Sequence, residues 1–204
     1  MDRRNFMGLS LGLGLAPLAL ARSAHAAVDV TGKPMSRLAQ QGFFPNVPLV
    51  THLGEKVHFY DDCIHDKIVL LNFMMVECLD GVCPTATANL RKVQDLLGDR
   101  MGRDIFFYSI TLQPLHDTPK VLREYAANFD IKPGWKFLTG TFDDIENLRR
   151  TLGYAEADPE IDKDPANHIG MARYGDDRLN RWGGISVRSN PDNIASSFVW
   201  LSAT

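Results

Sequence analysis

The run Lys67 to Val76 (KIVLLNFMMV) is almost unbroken in apolar residues. It stops directly at a cysteine segment, Glu77-Cys78-Leu79-Asp80-Gly81-Val82-Cys83-Pro84. A short stretch without polar alternation predicts a strand buried on both faces. Pro84 then predicts a helix, because proline costs nothing at the first helical position, where the N–H has no partner anyway. That reading puts Cys83 at the N-cap. Ala86, Leu90, Val93 and Leu97 follow at i, i+4, i+7 and i+11, one apolar helix face.

The remaining segments order themselves around that pair. Val47 to Tyr60 reads as a hairpin about Leu53-Gly54-Glu55, and Ile105 to Ile110 (IFFYSI) as a second central strand. Thr118-Pro119 opens a helix whose stripe is Val121, Leu122, Tyr125 and Phe129. Thr141 with Asp144 has the spacing of a capping box, with Asp in place of Glu. Ile145, Leu148 and Leu152 form the face of that helix, and Gly153 its stop. Tyr154 to Asn167 is acidic and polar and reads as a long loop. Gly170 to Tyr174 and Leu179 to Trp182 flank Gly175-Asp176-Asp177, a hairpin signal, and Asn190-Pro191 opens a last helix with Ile194, Phe198 and Leu201 inward. The order is β-α-β-α, another helix, then β-β-α, with the cysteines where the first core strand meets its helix. This is an α/β, thioredoxin-like arrangement: a central mixed sheet flanked by helices, extended by an N-terminal hairpin.

The first residues belong to a different category. Arg3 and Arg4 precede Asn5-Phe6, an apolar stretch from Met7 to Ala21, and a small-residue site, Ala24-His25-Ala26. These features read as a signal peptide, and the paired arginines resemble the twin-arginine export signal. The alternative is an uncleaved anchor in the inner membrane, for which about 15 apolar residues fall short of the ~20 that span a bilayer. The expected organisation is residues 1–26 as signal, 27–42 as an extended lead-in, and 43–204 as one domain, exported to the periplasm. The 204 residues are 45% hydrophobic and 23% charged with a formal charge of −3, ordinary for one soluble domain and lacking the basic excess of a nucleic-acid binder.

Three cysteines in an exported chain allow one pair and one left over. A cysteine at a helix N-terminus meets the positive end of the helix dipole and unpaired N–H groups, which favour thiolate. Cys78 and Cys83, joined by a Gly-containing turn, can form a disulfide or jointly hold a soft metal ion. Two thiolates with an imidazole select Cu(I), and the same donors accept Cu(II) or Zn(II). A disulfide that only staples the loop would constrain little chain entropy over so short a ring.

The pattern Cys…Asp-x-x-Cys-Pro after a buried strand resembles the Sco (SenC/PrrC) family. So do Ser109-Ile110-Thr111…Asp117-Thr118-Pro119 and Pro133-Gly134-Trp135…Leu138-Thr139-Gly140. The similarity runs from about Phe43 to Trp200. The resemblance implies a thioredoxin-like copper chaperone that holds Cu(I) or Cu(II) through two cysteines and a distant histidine. Its acceptor would be a cytochrome oxidase subunit with a binuclear copper centre. By position, after the acidic loop and before Gly170 to Tyr174, the histidine is His168, so the implied ligands are Cys78, Cys83 and His168. One departure stands out: the family spacing is Cys-x-x-x-Cys-Pro with proline after the first cysteine. Here Leu79 follows and four residues intervene, the extra one in the loop before the helix.

Two functions stay open. One is copper delivery by ligand exchange, in which no substrate bond is made or broken. The other is enzymatic, a periplasmic thiol–disulfide oxidoreductase with Cys78 and Cys83 as its catalytic redox pair and a thiol reductant as partner. A generic oxidoreductase shows Cys-x-x-Cys and a proline before the facing strand, where this chain has His168-Ile169. The Pro-x-x-x-Thr-x-x-Cys pattern of peroxide reduction is absent. His52, His58 and His65 are expected to be solvated, His116 to lie near the active loops, and Cys63 to be a buried, inert thiol. The acidic loop (Glu156, Asp158, Glu160, Asp162, Asp164) reads either as a solvated run or as a hinge that moves His168.

Overall fold

In the computed structural model the buried run becomes β3, Ile68–Met74, and every one of its residues is buried. The structure describes residues 43–78, 81–168 and 170–202, without the side chains of Ala166, His168 and Ser202. The expected signal and lead-in lie outside the described residues. The described strands are β1 (Pro48–Thr51), β2 (Lys56–His58), β3, β4 (Ile105–Thr111), β5 (Trp135–Thr139), β6 (Met171–Asp176) and β7 (Arg181–Ser186). They form one mixed sheet in the order β2-β1-β5-β4-β3-β6-β7. β3, β4 and β5 run parallel at its centre, and the hairpins β1–β2 and β6–β7 close its two sides antiparallel.

The alternation of β3 shows why its sequence reads as continuously apolar. Ile68, Leu70 and Met74 enter a core shared with Leu90 and Val93 of α1 (Val82–Leu97), Leu122 of α2 (Pro119–Asn128), and Ile194 and Phe198 of α5 (Pro191–Ser202). Val69, Leu71 and Phe73 enter the opposite core with Ile145, Leu148 and Leu152. Ile145 and Leu148 lie on α3 (Phe142–Thr151), and Phe59, Tyr60 and Cys63 join them from a π-helical turn, Phe59–Ile64. Each such side chain contributes about 1.5–3 kcal/mol by leaving water. The polar exception is Asn72, whose Oδ1 accepts from the Ser109 hydroxyl at 2.8 Å, while Ser109 Oγ accepts from Trp135 Nε1 at 2.9 Å.

Several expectations need correction. The element order omitted β5, a five-residue strand whose Trp135, Phe137, Leu138 and Thr139 are buried at the middle of the sheet. The region 154–167 is not a plain loop, because it carries the short helix α4 (Pro159–Asp162) and a 3-10 turn, Pro165–His168. In the β6–β7 hairpin the turn lies beyond Asp176, and Gly175 pairs with Trp182 inside the ladder. A Cβ at Gly175 would overlap the Trp182 indole, so this glycine is required by close approach, not by a turn. His52 is not solvated. It is 7% exposed, its N–H donates to Phe137 O at 2.8 Å, and its Nδ1 accepts from the Phe137 N–H at 3.1 Å. The ring thus extends the β1–β5 pairing past the strand end, and burial, with Lys136 and Arg123 nearby, lowers its pKa. His58 is exposed, as expected, whereas His65 is only partly exposed and its Nε2 is buried. The Thr141 cap is confirmed: its hydroxyl oxygen accepts from the Asp144 N–H at 3.2 Å and donates to the Asp144 carboxylate at 2.6 Å.

Candidate metal centre

The cysteine segment leaves the C-terminal end of β3. Gly81 turns the chain with a left-handed φ of 72°, and its N–H donates to Cys78 O at 3.1 Å. A non-glycine residue would be strained there. The helix α1 begins at Val82 with Gly81 as N-cap, so Cys83 occupies the second helical position and Pro84 the third. The expected start, with Cys83 at the cap, is therefore two residues late. Proline fits at the third position because none of the first four helical N–H groups has an intrahelical partner. Leu79 and Asp80 lie outside the described residues.

One of those orphan N–H groups identifies the pair. The amide of Cys83 donates to Cys78 Sγ at 3.2 Å, and the amide of Met75 donates to Cys83 Sγ at 3.3 Å. Both sulfurs therefore accept main-chain N–H bonds, a role that a metal-bound thiolate keeps. Cys83 is 1% exposed and Cys78 is partly accessible, so the pair is reached from the Cys78 side. No disulfide joins them in the structure.

A buried polar group stands behind the pair. Asp117, 1% exposed, accepts at Oδ2 from the Val76 N–H at 3.2 Å and from the Thr111 hydroxyl at 2.5 Å. It ties the chain just ahead of Cys78 to the end of β4. Burial raises its carboxyl pKa, and the two hydrogen bonds offset part of that rise. The Tyr125 hydroxyl bonds Thr87 at 2.9 Å and is pushed up to about 12, chiefly by burial, which the Thr87 bond partly offsets. Asp117 stood in the quoted motif without a role, and Thr111, Thr87 and Tyr125 carried none. The available signal was Thr111 closing an apolar strand and Asp117 preceding a cap, polar residues where burial was expected.

His168 ends the 3-10 turn Pro165–His168, three residues before β6. The antiparallel register Asn72↔Ala172 sets the entry of β6 beside the exit of β3. The backbone thus brings the His168 segment and the cysteine segment to the same end of adjacent strands. The His168 side chain lies outside the described residues. Among those described, no three His, Cys, Asp or Glu side chains form a metal-holding group. His116 is exposed on the loop that carries Asp117. Cys63 is buried at 1% in the opposite core, not the one that holds Cys83, and its thiol is pushed up to about 12, chiefly by burial.

A family profile described as SCO1/SenC matches residues 40–172. The chain belongs to the SCO1/SenC family. A Stutzerimonas stutzeri protein provisionally named for copper binding is 26% identical over 151 residues, 74% of this chain and 70% of that one. An SCO2-like protein of Rickettsia prowazekii is 30% identical over 111 residues, 54% of this chain, which spans about half of that relative's length (52%). Among solved structures, an SCO1/SenC family lipoprotein from Bacillus anthracis aligns at a TM-score of 0.64 and 22% identity, over 78% of this chain and 95% of that one. Bradyrhizobium japonicum ScoI, solved with copper bound, aligns at 0.59 and 23%, over 76% and 96%. These structural likenesses carry the fold, and the profile match carries membership in the SCO1/SenC family.

Proposed function

We propose that this chain is a copper-binding metallochaperone in which Cys78, Cys83 and His168 hold the cargo and hand it to an acceptor by ligand exchange. The observation that carries the reading is the Cys83 N–H···Sγ bond to Cys78, which folds the two cysteines into one turn at a helix start. The β3–β6 register supports it by bringing the His168 segment to the same end. Two thiolates and an imidazole are the soft and borderline donors that copper takes in either oxidation state. The relatives named for copper or solved with it point the same way. The acceptor is a respiratory copper protein, with the binuclear centre of cytochrome c oxidase as the family's client, and the working compartment is the periplasm. The arginine-led N-terminal segment supports export. Thiol–disulfide exchange with a client is the second reading, favoured by the same Cys78–Cys83 proximity.

His168→Ala decides between them. Disulfide exchange needs only the cysteines, whereas a stable Cu(II) site needs the third donor. The variant should lose the thiolate–Cu(II) charge-transfer absorption while Cys78 and Cys83 still cycle between thiol and disulfide. An unchanged Cu(II) spectrum would take the histidine out of the site and leave the oxidoreductase reading.

A further inference from the structure

The acidic stretch ahead of His168 is solvent-exposed at Glu156, Asp158, Glu160 and Asp164, but Asp162 is held at its centre, with a side chain 9% exposed. Arg149, on the buried side of α3, has a guanidinium whose side chain is 5% exposed, and all five of its N–H groups are used. Nε and Nη2 donate to the two Glu146 oxygens at 2.8 and 2.7 Å. Nη1 and Nη2 donate to the two Asp162 oxygens at 2.6 and 2.8 Å, and Nη1 also donates to Tyr154 O at 2.9 Å. Arg150 adds 2.9 Å to Asp162 and 2.5 Å to Glu146, and the Glu156 amide donates to Asp162 at 2.8 Å. The forked guanidinium matches a carboxylate in two bonds and so fixes its direction as well as its position. Arg149 and then the Glu156 amide hold the Asp162 carboxyl well below the usual carboxylate range, so the pair stays ionised in ordinary buffers.

The link continues toward His168. The Asn167 side-chain amide donates to Ile161 O at 2.8 Å, Asn167 N–H to Asp164 O at 3.1 Å, and Asp164 N–H to Ile161 O at 3.3 Å. An unbroken series of bonds therefore runs from the α3 core through Asp162 and Ile161 to the residue before His168. On the far side, the Tyr154 hydroxyl donates to Leu71 O at 3.3 Å and Met171 O at 3.4 Å, pinning the loop base to β3 and β6.

We infer that Arg149 and Asp162 are positioning residues: their ion pair holds the 163–168 segment in place and thereby sets how tightly the third donor is offered to the metal. The inference rests on the His168 reading above. A buried ion pair is a weak source of stability and a strong source of orientation, which suits a segment that must present one side chain. If breaking the pair leaves the segment in its binding position only about a tenth of the time, the apparent affinity falls by about tenfold.

Asp162→Asn in the full chain tests this, with two readouts. In the metal-free, reduced protein, amide hydrogen exchange should rise at Lys163, Asp164, Ala166, Asn167 and His168 and stay unchanged in α1 and β3. In a chelator competition, Cu(II) affinity should fall by about tenfold while the charge-transfer band keeps its position, because the donors are unchanged. In a His168→Ala background, Asp162→Asn should have no further effect on affinity, since the donor it positions is gone. Unchanged exchange and affinity in Asp162→Asn would overturn the inference, as would a general stability loss with no change local to 163–168. If Asp162→Asn fails to fold, Arg149→Lys keeps the positive charge but loses the two-bond fork on Asp162 and should shift both readouts in the same direction; no shift overturns the inference. If instead His168→Ala alone leaves affinity untouched, the three-donor reading falls, and the exchange data still report on the clamp.

Discussion

Asp117 keeps its carboxyl almost wholly out of water, and the Val76 amide and Thr111 hydroxyl that reach it share one oxygen. With its pKa raised by burial, the folded chain binds this proton more tightly than the unfolded chain does. Stability should therefore fall as pH rises from the ordinary carboxylate value, about 3.9, through the raised one, with the full loss above it. Asp117→Asn keeps the acceptor oxygen and cannot ionise, so urea midpoints at pH 4 and pH 7 should draw together relative to the parent. An unaltered gap would assign that pH dependence to other groups. Asp117→Ala strands both donors and should cost about 1–3 kcal/mol. Cys63 makes the opposite case, a buried thiol with no part in the site. At pH 8 an alkylating reagent should modify Cys63 only after unfolding, because its thiol is held near 12. Cys63→Ser should keep metal uptake and lose about 1–3 kcal/mol. Loss of bound metal in that variant would redraw the ligand set.

The β6–β7 hairpin shows how an element that carries no cysteine still shapes their end of the sheet. Gly175 faces Trp182, and Gly183 faces the Tyr174 ring, so aromatic rings lie across glycines on neighbouring strands. Gly175→Ala would push the indole off its seat, and overpacking of this kind costs about 1–3 kcal/mol. The variant should melt lower. It should also loosen β6, whose entry carries the His168 segment, so metal affinity should drop with it. A normal melting curve would mean Trp182 has room to move. The helices were easier to read than this hairpin. Thr118 and Thr141 accept from Val121 and Asp144 as N-caps should, because a cap is a local contact between residues three apart. Gly175 looked like turn punctuation because its neighbour across the ladder, Trp182, is invisible in one dimension.

Taken as a whole, the chain should bind one copper when reduced and essentially none when Cys78 and Cys83 are joined as a disulfide, because one pair of thiolates makes one site. Copper titrations of the two forms, followed by absorption and EPR, check this; equal uptake would remove the pair from the site. Much of the frame behind that expectation was legible beforehand. The apolar run of β3, the α1 face of Ala86, Leu90, Val93 and Leu97, and the cysteines between them are short-range patterns, and hydrophobic period and capping act between near neighbours. β5 was missed because five residues give little periodicity, and its identity comes from pairing with β4 and β1. The burial of His52, the enclosure of Asp117 and the five-fold saturation of Arg149 also waited on the structure. Arg149 and Asp162 stand 13 residues apart, and Val76 and Asp117 stand 41 apart. Contacts at such separations are set by how the layers close around the sheet. Linear order alone decided which residues could do chemistry here; only the packed sheet and its helices decided which of them are held, buried and aimed.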